Sequence, residues 1–119
     1  MNTDIAKANV RFVARQLGFD DCRIAAATRA PHADHYIQWI EEGHAGDMGW
    51  LEKNVERRCD PREVLPGCKS IVSLALNYLP AKKQPRSDYR IARYSWNDDY
   101  HDLIQEKLKD LDLAMQDMG

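Results

Sequence analysis

The sequence predicts an α/β fold with helices packed on a small sheet, and three features of the chain predict it. Apolar residues recur at spacings of three and four near the start, from Thr3 to Leu17, and again from Asp98 to Met118; this is the pattern of a helix with one buried face. Between them, Ser70 to Tyr78 is a run of β-branched and bulky apolar residues bounded by turn formers, which suits a central strand. Glycine and proline divide the remainder into short pieces, as an alternation of small elements demands.

In the first helix Ile5, Ala6, Val10, Val13 and Leu17 form the apolar face, with Thr3 as the expected N-cap and Gly18 as the stop. Cys22 to Ala27 follows as a short apolar segment, a strand weakened by its alanines. Asp34 to Glu42 places Tyr36, Ile37 and Ile40 on adjoining turns, so a helix is expected there, ending in Gly43-His44-Ala45-Gly46. A second helical piece is expected from Asp47 to Arg58. Asp60-Pro61 then reads as an N-cap with proline at the first helical position, opening one short turn that Pro66-Gly67 ends.

After the Ser70 strand, Leu79 to Asp88 carries two prolines and the cations Lys82, Lys83 and Arg86 with almost nothing to bury, so a mobile surface loop is expected. Tyr89 to Trp96 is expected to return as a second strand. Asp98 and Asp99 open a long helix whose stripe is Ile104, Leu108, Leu111, Met115 and Met118. Its end at Met118-Gly119 reads either as a natural helix terminus or as a cut just beyond one.

Apolar residues make up 44% and charged residues 30% of the 119 positions, the composition of one soluble globular domain, taken as residues 1–119. No apolar run approaches the ~20 residues that cross a bilayer, and Asp4 and Lys7 interrupt the N-terminus where a signal peptide would be apolar. A cytoplasmic protein without a membrane partner is therefore expected; it is taken to be a monomer. The net charge of −2 opposes attraction of nucleic acid by the whole surface while allowing a local basic patch. Cys22, Cys59 and Cys68 contain no C-x-x-C pair, so this chain by itself builds neither a disulfide framework nor a zinc or iron-sulfur site.

Two clusters carry the chemistry. Arg57, Arg58 and Arg62 surround Asp60-Pro61, and guanidinium groups beside a helix start suit phosphate or carboxylate; alternatively Arg57 and Arg58 lie on a solvated helix end paired with Glu52, Glu56 or Glu63. Arg90, Arg93, Tyr94, Trp96, Asp98, Asp99, Tyr100 and His101 concentrate aromatic and titratable groups at a strand-to-helix junction, where α/β folds place flat ligands. The alternative is a packed corner in which Trp96 and Tyr100 staple the helix start, Asp98 or Asp99 caps it and His101 lies on the surface. His32, His35, His44 and His101 are too dispersed for a recognisable metal site. The glycines of Gly43 to Trp50 match neither a dinucleotide fingerprint nor a P-loop.

Taken in order, Leu17-Gly18-Phe19-Asp20, Gly43-His44-Ala45-Gly46-Asp47-Met48-Gly49-Trp50-Leu51, Arg58-Cys59-Asp60-Pro61 through Leu65-Pro66-Gly67, Ser70 to Tyr78, and Ile91 to Asp99-Tyr100-His101 resemble the N-terminal part of the epoxyqueuosine reductase family. Arg-x-Asp-Pro, Leu-Pro-Gly and Asp-Tyr-His are the most specific elements. The resemblance implies an α/β domain similar to the corrinoid-binding, nitroreductase-like domains of reductive dehalogenases. It also implies a tRNA-modifying oxidoreductase that uses cobalamin to reduce epoxyqueuosine to queuosine in the anticodon loop of tRNA.

Carried over by position, the resemblance implies that Arg58 and Ala92 contact cobalamin and that Tyr94, Tyr100 and His101 line the ring or its side chains. Asn97 stands where the family usually has glycine. Two [4Fe-4S] clusters, held by cysteine motifs, and an aspartate general acid are expected only farther along than Gly119, so no catalytic residue falls in this chain. A fragment lacking that part is expected to be inactive and to bind cobalamin weakly. Two rival readings are a stand-alone corrinoid-binding module without redox activity and a flavin-binding nitroreductase relative. A gene that continues into cluster cysteines supports the enzyme, a stop after Gly119 the module, and visible absorption separates corrinoid from flavin.

Overall fold

The computed structural model describes residues 2–78, 90, 92 and 99–119. In chain order the described elements are α1 (Thr3–Gln16), β1 (Asp21–Ala26), α2 (Ala33–Glu41), a 3-10 turn (Gly49–Glu52), α3 (Val55–Cys59), a second 3-10 turn (Pro61–Glu63), β2 (Ser70–Ala75) and α4 (Tyr100–Asp117). This is the α/β class expected. The chain divides into two compact units, one made of residues 1–23 and 73–119 and the other of residues 24–72.

In the first unit, α1 packs against α4. Val10 and Ala14 from one helix and Leu111 from the other are buried, with Phe19 and Cys22 beside them in the chain. Both expected apolar stripes are real but only partly covered: Ala6, Val13, Leu17, Ile104 and Met118 are half-buried, whereas Ile5 and Leu108 remain exposed. The cap of α1 is Asn2 and not Thr3, because the Asn2 Oδ1 accepts from the Asp4 N–H at 2.9 Å while Thr3 is already helical. An asparagine one residue earlier satisfies the same orphan donor.

The second unit has a core of small residues, Ala27, Ala33, Ala45 and Cys59. Small side chains let backbones approach closely, and the Ala30 N–H donates to the Cys59 carbonyl at 2.7 Å. The single helix expected from Asp47 to Arg58 is broken. After the first 3-10 turn Asn54 adopts the left-handed conformation at φ 56°, which asparagine tolerates better than most residues, and α3 restarts at Val55.

β1 and β2 form a two-stranded sheet. The bonds from Asp20 N–H to Ala75 O (2.8 Å) and from Ala27 N–H to Lys69 O (2.9 Å) pair the chain ends in opposite order, so the strands are antiparallel. β2 begins at Ser70 as expected but stops at Ala75 rather than Tyr78. Asp20 explains the stop: its carboxylate accepts the Asn77 N–H at 2.6 Å, so that donor is taken by a side chain instead of a strand. The expected loop from Leu79 to Asp88 lies outside the described residues. So does the expected strand from Tyr89 to Trp96, except for Arg90 and Ala92, which have no regular structure.

Candidate functional site

Within the second unit, the Arg-x-Asp-Pro segment folds as its residue types dictate. Asp60 caps the Pro61–Glu63 turn, its Oδ1 accepting the Arg62 N–H at 2.9 Å, and proline occupies the first position, where no N–H is needed. The same carboxylate receives the Arg62 guanidinium as a fork, Nε to Oδ1 at 2.9 Å and Nη2 to Oδ2 at 2.7 Å. This side-chain bond, followed by the backbone one, holds the Asp60 carboxyl down at about 2. The charge of Arg29, itself paired with Asp34 at 2.9 Å, also favours the Asp60 carboxylate.

Arg58 is used differently. Its Nε donates to the Lys53 carbonyl at 3.1 Å and its Nη2 to the Trp50 carbonyl at 2.9 Å. The guanidinium therefore clips the segment between the 3-10 turn and α3, and the expected alternative of pairing with Glu52, Glu56 or Glu63 is not what this side chain does. Tyr36 adds a second tie by donating its hydroxyl to the Leu51 carbonyl. The clip leaves the Arg58 Nη1 without a bond among the described residues, and Trp50, whose carbonyl it holds, is exposed.

A second cluster opens α4 in the first unit. Asp99 is the N-cap, its Oδ1 accepting the His101 N–H at 2.9 Å and also engaging the His101 ring at Nδ1, 2.8 Å away. The backbone N–H first and the ring second lower the Asp99 carboxyl below its ordinary value. The rings of Tyr100 and His101 stack with centroids 4.1 Å apart and 27° between planes. Both residues are exposed, so they present a flat polar-edged face.

Of the residues expected to form a site, Tyr100 and His101 are brought together, Ala92 is exposed in the same unit, and Arg58 belongs to the other unit. Tyr94, with Trp96, Asn97 and Asp98, lies outside the described residues. Asp99 as a ring partner of His101 was not foreseen. An Asp-x-His spacing at a helix start is the signal, since an N-cap carboxylate can reach both the backbone and the ring two residues on. His32 and His35 have ring centroids 5.7 Å apart, but no group of three or more His, Cys, Asp or Glu able to hold a metal occurs among the described residues. Nor is any helix there long and apolar enough to cross a membrane.

This is a small α/β scaffold whose second unit carries the Arg58 guanidinium in the last turn of α3 and whose first unit carries the Tyr100 and His101 rings at the start of α4. Residues 58–119 match the family described as "Epoxyqueuosine reductase QueG, DUF1730", and the chain belongs to that family. It is 39% identical over 97 residues to the epoxyqueuosine reductase of Leadbetterella byssophila, covering 81% of this chain and 32% of the relative. Against that of Cyclobacterium marinum it is 37% identical over 107 residues, covering 85% and 34%. A crystal structure of epoxyqueuosine reductase with an epoxyqueuosine-modified tRNA-Tyr stem loop superposes with a TM-score of 0.85 at 30% identity, covering 99% of this chain and 33% of that one. The chain thus spans about a third of the length of these relatives.

Proposed function

We propose that the whole gene product is a cobalamin-dependent epoxyqueuosine reductase and that residues 1–119 form an incomplete N-terminal, nitroreductase-like cobalamin-binding domain of it. The observation that carries this reading is the agreement of family and fold: the match over residues 58–119 and the superposition on an enzyme crystallised with a modified tRNA stem loop. The substrate is tRNA bearing epoxyqueuosine in the anticodon loop. The reaction, reduction of the epoxide to queuosine, is a step of tRNA processing in the cytoplasm by a monomeric enzyme.

The chemistry of this chain's own groups fits a corrin. A guanidinium is suited to the amide and phosphate oxygens of cobalamin, and Arg58 retains Nη1 for that purpose after its two carbonyl bonds. The exposed Tyr100–His101 stack suits a flat ring with polar side chains. Arg58, Ala92, Tyr94, Tyr100 and His101 would hold the cofactor, which when bound supplies the electrons that reach the epoxide carbon. Arg58 orients the segment after Trp50, and Asp99 orients His101. Two [4Fe-4S] clusters and the general acid belong to the part of the enzyme that this chain does not represent.

Expression of the whole gene in a bacterial strain that lacks epoxyqueuosine reductase tests the reading. Queuosine is expected to reappear in tRNA hydrolysates, and the purified protein is expected to carry the visible absorption of a corrinoid. Soluble protein with epoxyqueuosine still accumulating in tRNA overturns the assignment. Corrinoid uptake without that activity favours the stand-alone binding module.

A further inference from the structure

We propose that Asp99 is a positioning residue for His101, holding the imidazole as the Nδ1–H tautomer so that Nε2 is presented as a hydrogen-bond acceptor for the primary-amide side chains of a corrin. The inference rests on the cobalamin reading for its ligand and on geometry for the rest. An ionised carboxylate only accepts, so the Nδ1 that lies 2.8 Å from Asp99 Oδ1 must be the donor. The tautomer of a neutral imidazole is set by such a bond, which leaves the opposite nitrogen with its lone pair.

Three contacts fix where that lone pair points. Oδ1 of Asp99 also accepts the His101 N–H at 2.9 Å, tying the ring to the first turn of α4, and the Tyr100 ring lies against one face of the imidazole at 4.1 Å. His101 Nε2 makes no hydrogen bond among the described residues. An acceptor nitrogen so held favours an amide N–H over a carboxylate or a phosphate, whose oxygens would meet it lone pair to lone pair. The corrin carries several amides at its rim, within reach of an exposed side chain.

The competing account is that Asp99 does no more than cap α4. Serine separates the two roles, because it caps helices as well as aspartate but is too short to reach the ring. Asparagine retains an oxygen for both and serves as the conservative control. The apo form of the whole gene product, labelled with 15N at histidine, gives the tautomer from the imidazole nitrogen shifts, with His101→Gln assigning the signals; cobalamin affinity is then measured by visible absorption.

Wild type is expected to be mainly the Nδ1–H form and Asp99→Ser mainly Nε2–H. Asp99→Ser should bind cobalamin roughly three- to tenfold more weakly, the effect of one neutral hydrogen bond, while Asp99→Asn stays near wild type in both readouts. A wild-type His101 that is mainly Nε2–H overturns the inference even if Asp99→Ser does not fold. Equal affinity in wild type and Asp99→Ser overturns it alone, whereas absence of cobalamin binding in every form overturns the cofactor reading and the amide assignment with it.

Discussion

Lys107 Nζ donates to the main-chain carbonyl of Leu17 at 2.7 Å, so a side chain of α4 closes the C-terminal end of α1. A cation there meets the negative end of the helix dipole as well as an orphan carbonyl. The arrangement explains the Leu-Gly-Phe-Asp sequence that follows. Gly18 turns the chain at φ +94°, Phe19 is buried at 4% exposure, and Asp20 reaches across to the end of β2.

Gly18→Ala is therefore expected to lower stability by about 1–2 kcal/mol, the cost of a left-handed backbone for a residue with a Cβ. That Cβ would also fall 2.8 Å from the Lys107 Nζ; the ammonium can swing aside, but only by giving up its bond to Leu17. Lys107→Met should cost about 1 kcal/mol through loss of the helix-end charge. Urea unfolding measures both, and a Gly18→Ala midpoint equal to wild type would contradict the account.

Arg58 and Arg57 are neighbours with different work. Arg58→Ala removes both bonds to the Trp50 and Lys53 carbonyls and should speed amide exchange from Gly49 to Asn54, whereas Arg57→Ala, an exposed change, should leave exchange as it was. Arg58→Lys retains the charge without the fork and should restore exchange only in part. In the whole gene product Arg58→Ala should also lose more cobalamin on gel filtration than Arg57→Ala. Equal losses would remove Arg58 from the cofactor site.

The parts legible in the sequence are those decided by local chemistry. Periodicity located α1, α2 and α4, and Asp60-Pro61 announced its cap and turn because both residues act within three positions of themselves. The break at Asn54 was not legible, since it depends on Arg58 and Tyr36 drawing in carbonyls from other turns. The early end of β2 depends on a carboxylate 57 residues away. Asp99 was legible as a cap, but its hold on the His101 ring required the side-chain geometry that only the fold supplies.

Acid should unfold the protein partly through Asp60. Its folded carboxyl titrates at about 2 against an ordinary 3.8, so its contribution to stability is fully present above about pH 4 and is lost as pH falls through 2. Asp60→Asn removes the titrating group and the charge that holds Arg62. It should be less stable than wild type at neutral pH and should show a shallower loss of stability between pH 4 and 2. Thermal midpoints taken across that interval decide the matter; parallel profiles for the two proteins would assign the acid sensitivity elsewhere, with Asp21 and Asp99, whose carboxyls are also lowered, next to be replaced.

The chain is slightly acidic overall, with a net charge of −2, so any contact it makes with tRNA phosphates must come from a local concentration of cations. Lys82, Lys83 and Arg86 form the densest such run outside the Arg57, Arg58 and Arg62 cluster, in a segment beyond the described residues. Cations that meet phosphates release counterions and add affinity without reading bases. Replacing all three with glutamine in the whole gene product should therefore raise the KM for tRNA and flatten the dependence of that KM on salt. Cobalamin content should be unchanged, because none of the three is among the residues proposed to hold the cofactor. A KM and a salt slope both at wild-type values would show that this run takes no part in binding tRNA and would shift attention to the exposed Arg57 and Lys53 beside the Arg58 clip.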